Sequence, residues 1–128
     1  MKTNYKVTIA LVAGTAIGGA VIQGLHALAT PPAYVIAEID VTNQDGYVKE
    51  YAPLAGKALG DGGAKTLARG GKTVSLEGVP PKSRISINAF ESIEKAQAAF
   101  SSAAYKEARK IGDKYATFRI FVVEGEAK

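Results

Sequence analysis

The chain has 128 residues, 47% hydrophobic and 22% charged, with a formal net charge of +4, the profile of one ordinary globular domain. It contains no Cys and no Trp, and its single His is His26, which excludes a disulfide framework, a thiolate nucleophile and Cys-ligated zinc. The basic residues are scattered, Arg109-Lys110 being the one adjacent pair, so neither a nucleic-acid surface nor a charged membrane footprint is expected.

Residues 1–6 (MKTNYK) form a short basic start, and Val7 to Leu25 carry no charge. Ala27-Leu28-Ala29 follows, an A-x-A exit with small residues where a signal peptidase needs them, and Pro31-Pro32 then stiffens the chain. The pattern reads as a secretory signal peptide cleaved after Ala29. The rival is a retained anchor, since the nineteen-residue uncharged run is long enough to span a bilayer. Gly14, Gly18, Gly19, Gln23 and Gly24 dilute that run and favour cleavage. Gly14-x-x-x-Gly18 has the spacing of a helix-dimerisation face, though a Gly/Ala-rich run produces it by chance. Either way Lys2 and Lys6 stay cytoplasmic and the domain lies on the far side, exported to the periplasm or beyond, or held at the inner membrane. Membrane contact is expected through residues 7–25 only, and only if they are retained. Cleavage would also remove His26, and with it every His-based triad, metal site or general base. The expected organisation is 1–29 signal or anchor, 30–33 linker and 34–126 domain.

Tyr34–Val41 alternates, with Val35, Ala37, Ile39 and Val41 on one face and Tyr34, Ile36, Glu38 and Asp40 on the other, as in a strand with one well-buried face. Thr42-Asn43 before Asp45 signals a helix start. Tyr47, Val48, Tyr51, Leu54, Ala55, Ala58 and Leu59 then repeat at helical spacing. Pro53 interrupts that helix, lacking an N–H and crowding the preceding turn, and Gly60–Gly63 ends it. Ala64–Arg69 is expected as a short strand, Gly70-Gly71 as a two-residue hairpin turn, and Thr73–Glu77 as the returning arm. Arg84–Phe90 alternates again, Ile85, Ile87 and Ala89 against Ser86, Asn88 and Phe90. Ser92 caps a helix with Ile93, Ala96, Ala99 and Phe100 on its inner stripe. Ser101-Ser102 breaks it, a second piece carries Tyr105, Ala108, Arg109 and Ile111 to Gly112, and Phe118–Val123 is a final strand. The order β-α-β-β-β-α-β, with a small hairpin arm, is the ferredoxin-like α+β pattern. The helix-covered face is expected to take Val35, Ala37, Ile39, Ile85, Ile87 and at least two of Phe118, Ile120 and Val122.

Taken together, Val35-x-x-Glu38-x-Asp40-Val41-Thr42, Tyr47-x-x-x-Tyr51, Arg69-Gly70-Gly71, Leu76-Glu77-Gly78 with Pro80-Pro81, Arg84, Phe90-x-Ser92 and Ser102-x-x-Tyr105-x-x-x-Arg109 resemble the family of the domain of unknown function 1330 (DUF1330). The resemblance covers essentially all of Ala33 to Gly125. It implies a dimeric α/β barrel, in which two ferredoxin-like units pair through their open sheet faces. The wider superfamily includes monooxygenases, haem-degrading enzymes and isomerases, but fold alone transfers none of these activities. No cofactor is expected; the haem-degrading branch relies on a His that the domain lacks.

In a ferredoxin-like sheet Glu38 is expected beside Asn88 or Ser86 on one side and Arg119 on the other. A desolvated Glu38 or Asp40 is a candidate general base with Arg119 polarising a substrate; a structural Glu38–Arg119 pair fixing register is the blander and favoured account. Tyr51, Tyr105 and Tyr115 are candidate phenolic donors, though such tyrosines are more often core or rim residues. Arg69 and Arg84 can fork an anion or blunt a sheet edge, with edge protection favoured. Two functions follow: an exported homodimer holding a small, largely apolar molecule in a dimer cavity, contacted by residues such as Asn88, Tyr51, Tyr105, Arg69 and Arg84; or a cofactor-free isomerase or monooxygenase using Glu38 or Asp40. A third, weaker account makes pairing itself the function.

Overall fold

The alternation of Tyr34–Val41 becomes β1 (Ala33–Val41), the strand on which both layers of the domain are built. The computed structural model describes residues 30–127, so the signal or anchor segment, its exit at Ala27 and Ala29, and His26 lie outside the described residues. Pro31–Glu126 forms a compact unit. Ala33, expected in the linker, is instead the first core residue of β1 and is fully buried, because the ladder begins there, pairing Ala33 with Phe90 and Glu124.

Asn43 caps the first helical turn, α1 (Gln44–Gly46), its side-chain oxygen accepting from the Gly46 N–H at 3.0 Å. A π-helical turn (Tyr47–Tyr51) leads into α2 (Ala52–Asp61). Pro53 sits in the first turn of α2, where its missing N–H is tolerated. The expected disturbance takes the form of this wide turn: the Ala52 N–H reaches back five residues to the Tyr47 carbonyl. Tyr47, Tyr51, Ala55 and Ala58 are buried, whereas Val48 and Leu54, expected on the same stripe, are exposed. The chain leaves the helix through Gly62 and Gly63, the latter at φ +100°.

β2 (Lys65–Arg69) pairs antiparallel with β3 (Arg84–Phe90), with a bulge between Thr66 and Ala68. The expected return strand at Thr73–Glu77 does not form. A two-residue hairpin turn needs positive φ at both centres. Here Gly70 has φ +63° and Gly71 does not adopt positive φ, while the Gly70 N–H continues the ladder to the Ile85 carbonyl at 2.8 Å. Residues 71–83 therefore run as an exposed loop. Ser92 caps α3 (Ile93–Phe100) and Ser102 caps α4 (Ala103–Gly112), and β4 (Ala116–Glu124) closes the order.

The sheet order is β2-β3-β1-β4, all neighbours antiparallel, which with the β-α-β-β-α-β succession is the ferredoxin-like α+β fold. The helices cover one sheet face, sealing Val35, Ala37, Ile39, Phe118, Ile120 and Val122 beneath them. Ile85 and Ile87, expected with these, face the other way. Their partners across β1 are Glu38 and Ile36, whereas Val35, Ala37 and Ile39 stand opposite Asn88, Ser86 and Arg84. A period of two fixes which residues share a face, not which face that is.

The close packing of α4 is open to test. A Cβ at Gly112 would meet the Tyr51 ring at 2.6 Å and Phe118 at 3.1 Å, whereas one at Gly56 meets nothing within 4 Å. Gly112→Ala is expected to destabilise by about 1–3 kcal/mol through overpacking, and Gly56→Ala to stabilise by about 0.5–1 kcal/mol through helix propensity. Denaturant midpoints of the two variants decide it; equal shifts of one sign would refute the packing described.

Candidate functional site

The register of β3 turns Arg84, Ser86 and Asn88 toward the helices. Thr66 and Arg69 of β2 stand opposite Asn88 and Ser86, so the same face carries five polar side chains at the β2 edge of the sheet. The π-turn sets Tyr47 and Tyr51 over this patch, their ring centroids 5.1 Å apart. Tyr105 arrives from α4, held in phase by the Ser102 cap, with its ring 4.6 Å from Phe100 in edge contact. These groups line a cavity of about 90 Å³ between the helices and the sheet, floored by Ala37, Ile39 and Ile120. That is space for about three waters.

Hydrogen bonds order one wall. Arg69 Nη2 donates to Thr66 Oγ1 at 3.0 Å, and Thr66 Oγ1 donates to Asn88 Oδ1 at 2.9 Å. The Arg84 guanidinium carbon lies 5.0 Å from the centre of the Tyr47 ring, a cation–π distance. Its Nε is buried without a partner, as is the Tyr105 hydroxyl. Gly70 makes room for it, since any Cβ there would lie 2.5 Å from Arg84 Nη1. No side chain lining the cavity is a carboxylate, and neither Arg69 nor Arg84 belongs to an ion pair among the described residues.

Burial pushes the Tyr51 phenol far up, with the nearby Tyr105 phenol adding to the effect. Burial likewise raises Tyr105. It raises Tyr47 too, against the opposing pull of Arg84 and Arg69. All three stay protonated at physiological pH and present O–H donors. The Tyr105 hydroxyl lies close enough to Tyr51 and Arg109 for both to offset part of its rise, without a hydrogen bond of full geometry to either.

The expected site residues therefore divide. Asn88, Tyr51, Tyr105, Arg69 and Arg84 come together in one cavity, although it lies inside the α+β unit and not on the open sheet face. Arg84 is drawn inward, not spent on blunting an edge. Glu38 and Arg119 meet as cross-strand partners, Arg119 Nη1 donating to Glu38 Oε2. They do so on the open face, where Glu38 stands opposite Ile85 and not beside Asn88 or Ser86. Asp40 pairs with Lys82 at 3.1 Å near the loop. Neither carboxylate lines the cavity. Tyr115 is apart from it, its hydroxyl donating to Glu50, which raises its pKa. Tyr47, Thr66 and Ser86 were not singled out as site residues. The i, i+4 spacing of Tyr47 and Tyr51 was the available signal for the first, and nothing local marked the other two.

The sequence model of the domain of unknown function DUF1330 matches residues 32–126. Among curated proteins, none matches the chain. The RPA0582 protein of unknown function from Rhodopseudomonas palustris has a similar structure, with a TM-score of 0.61 at 14% identity over 77% of this chain and 85% of that one. SnoaB, a cofactor-independent oxygenase from Streptomyces nogalater, superposes with a TM-score of 0.54 at 9% identity, over 77% of this chain and 97% of its own. At these identities the likeness is one of fold.

The buried phenols give a pH test with a definite sign. Below pH 10, the ordinary tyrosine value, folded and unfolded chains both keep these protons and stability is fully present. Above it the unfolded chain releases them more readily than the folded one, so stability falls as pH rises. Ultraviolet titration of tyrosinate is expected to show Tyr47, Tyr51 and Tyr105 ionising only as the fold is lost by circular dichroism. Ionisation of every tyrosine near pH 10 with the fold intact would contradict the burial described.

Proposed function

This chain belongs to the DUF1330 family, and because that membership carries no activity, we propose from the geometry that it binds a small molecule in the cavity between its helices and its sheet. One observation carries the reading: Arg69, Arg84, Ser86 and Asn88 converge on a pocket walled by the Tyr47, Tyr51 and Tyr105 rings, and no carboxylate lines it to neutralise the two guanidiniums. A partly buried guanidinium with no carboxylate partner carries a desolvation cost, which a bound acceptor offsets. A concave, largely apolar pocket with a few placed polar groups is the usual form of a ligand site.

The working form in this proposal is an exported homodimer. The open sheet face supports it, because Ile36, Ile85, Ile87, Ala89, Phe121 and Val123 lie together there by register, with Phe121 and Val123 exposed. An apolar patch of this kind on a sheet face is suited to pairing with its twin. Glu38 and Arg119 then serve as a register-fixing pair within that face. The alternative of a cofactor-free isomerase or monooxygenase places its base, Glu38 or Asp40, away from the cavity, which lacks any carboxylate of its own; binding is the better-supported reading. Export rests on the N-terminal pattern alone. No helix among the described residues is long and apolar enough to cross a membrane.

Native mass spectrometry of the protein purified gently from its source is expected to show a dimer of chains beginning after Ala29, with a small molecule retained. An unliganded dimer would overturn the binding reading, and an unliganded monomer would overturn both binding and pairing. Ile87→Asp, which sets a charge between Ile36 and Ala68 on the open face, is expected to yield a folded monomer by size-exclusion chromatography. A dimer unaffected by this change would remove that face as the interface.

A further inference from the structure

Resting on the binding reading above, we infer that the ligand is a small organic anion, a carboxylate or enolate on a compact body, with its charge held by Arg84 and Arg69. The charged groups of the cavity lining are both cations, Arg69 and Arg84. Two guanidiniums and the protonated phenols of its tyrosines supply donors. The acceptors nearby are neutral hydroxyls and one amide, and two of them are engaged: Asn88 Oδ1 accepts from Thr66, and Thr66 Oγ1 accepts from Arg69. A cation would meet two like charges and no carboxylate to offset them.

Charge balance points the same way. Arg84 is partly buried, its Nε fully so, and no carboxylate of the described residues pairs with it. An uncompensated cation at a desolvated position is costly, and stacking on Tyr47 at 5.0 Å compensates only part of that cost. Arg69 is exposed at the rim, so an anion entering the cavity passes one cation and ends at the other. The backbone is shaped to this arrangement. Gly70 turns at φ +63° and has no Cβ, which lets the Arg84 guanidinium lie against the turn and present a planar fork to the cavity it lines. The rings of Tyr47 and Tyr51, with Ala55 and Phe100, offer the apolar surface for the body of such a molecule.

The test compares charged and neutral molecules of the same shape on the full chain by isothermal titration calorimetry and proton–nitrogen NMR. Benzoate and benzamide form one pair, isobutyrate and isobutyramide the other. At least one carboxylate is expected to bind about 10–100-fold more tightly than its amide, the ratio for hydrogen bonds to a charged group, with shifts at Ser86 and Asn88. Arg84→Gln is expected to erase that preference by weakening the carboxylate far more than the amide. Arg69→Gln, at an exposed position that tolerates substitution, is expected to weaken the carboxylate by a smaller factor. Carboxylate and amide binding equally, with Arg84→Gln without effect, would overturn the anion while leaving the pocket as a binding site. No shift at the cavity residues with any of the four would overturn the pocket reading itself, and this inference with it.

Discussion

Ile39 stands opposite Arg84 across the β1–β3 ladder, and the chemistry of the domain depends on that pairing. Because the side-chain period of a strand is two, placing Ile39 beneath the helices places Arg84, Ser86 and Asn88 there as well. A slip of one residue would exchange them for Ile85, Ile87 and Ala89, filling the cavity with aliphatic side chains and stranding polar groups on the open face. The same ladder on the other side of β1 puts Phe118, Ile120 and Val122 under the helices, so the two flanks of one sheet face differ. The β4 side is a dry core, and the β2–β3 side is polar.

The helical layer responds to this asymmetry. Over the β4 side, Tyr51 packs on Phe118 with centroids 5.2 Å apart, and Arg109 lies over the Phe118 ring at 3.8 Å while pairing with Asp113. Over the β2–β3 side the residues are small, Ala52, Ala55 and Gly56, and the gap they leave is the cavity. The π-turn holds both tyrosines at the seam between the two regions. A π-turn inside a helix is uncommon and often marks a functional position; here Pro53 makes it favourable by having no N–H to offer a regular turn. Stability and site thus share the same residues. Tyr51 and Tyr105 belong to the core cluster and to the cavity wall at once.

Much of this architecture is legible in the amino-acid order. The caps at Asn43, Ser92 and Ser102, the strands at Ala33–Val41 and Arg84–Phe90, and the helix break between Phe100 and Ala103 are local events, each set by a side chain acting on its own backbone. The cavity residues were legible as individuals and not as a set. Arg69 and Arg84 are fifteen positions apart, across a loop expected as a hairpin, and Tyr105 is further still. Gly70-Gly71 suggested a tight return because glycine permits it. The observed turn uses that freedom at one glycine only, since β3 already claims the Gly70 amide.

By itself the sequence determined the fold class, the family pattern, the absence of Cys and Trp, and which residues share a face along each strand and helix. All of these are set by composition or by the short-range geometry of the backbone. Only the tertiary structure decided that Ile85 and Ile87 turn outward while Arg84, Ser86 and Asn88 turn toward the tyrosines, and that Glu38 lies on the face opposite to the cavity. The physical reason is that β3 is amphipathic in a sheet with apolar residues on both faces: Val35, Ala37 and Ile39 on one, Ile36, Phe121 and Val123 on the other. Alternation then has no unique inside, and the long-range ladder to β1 makes the choice.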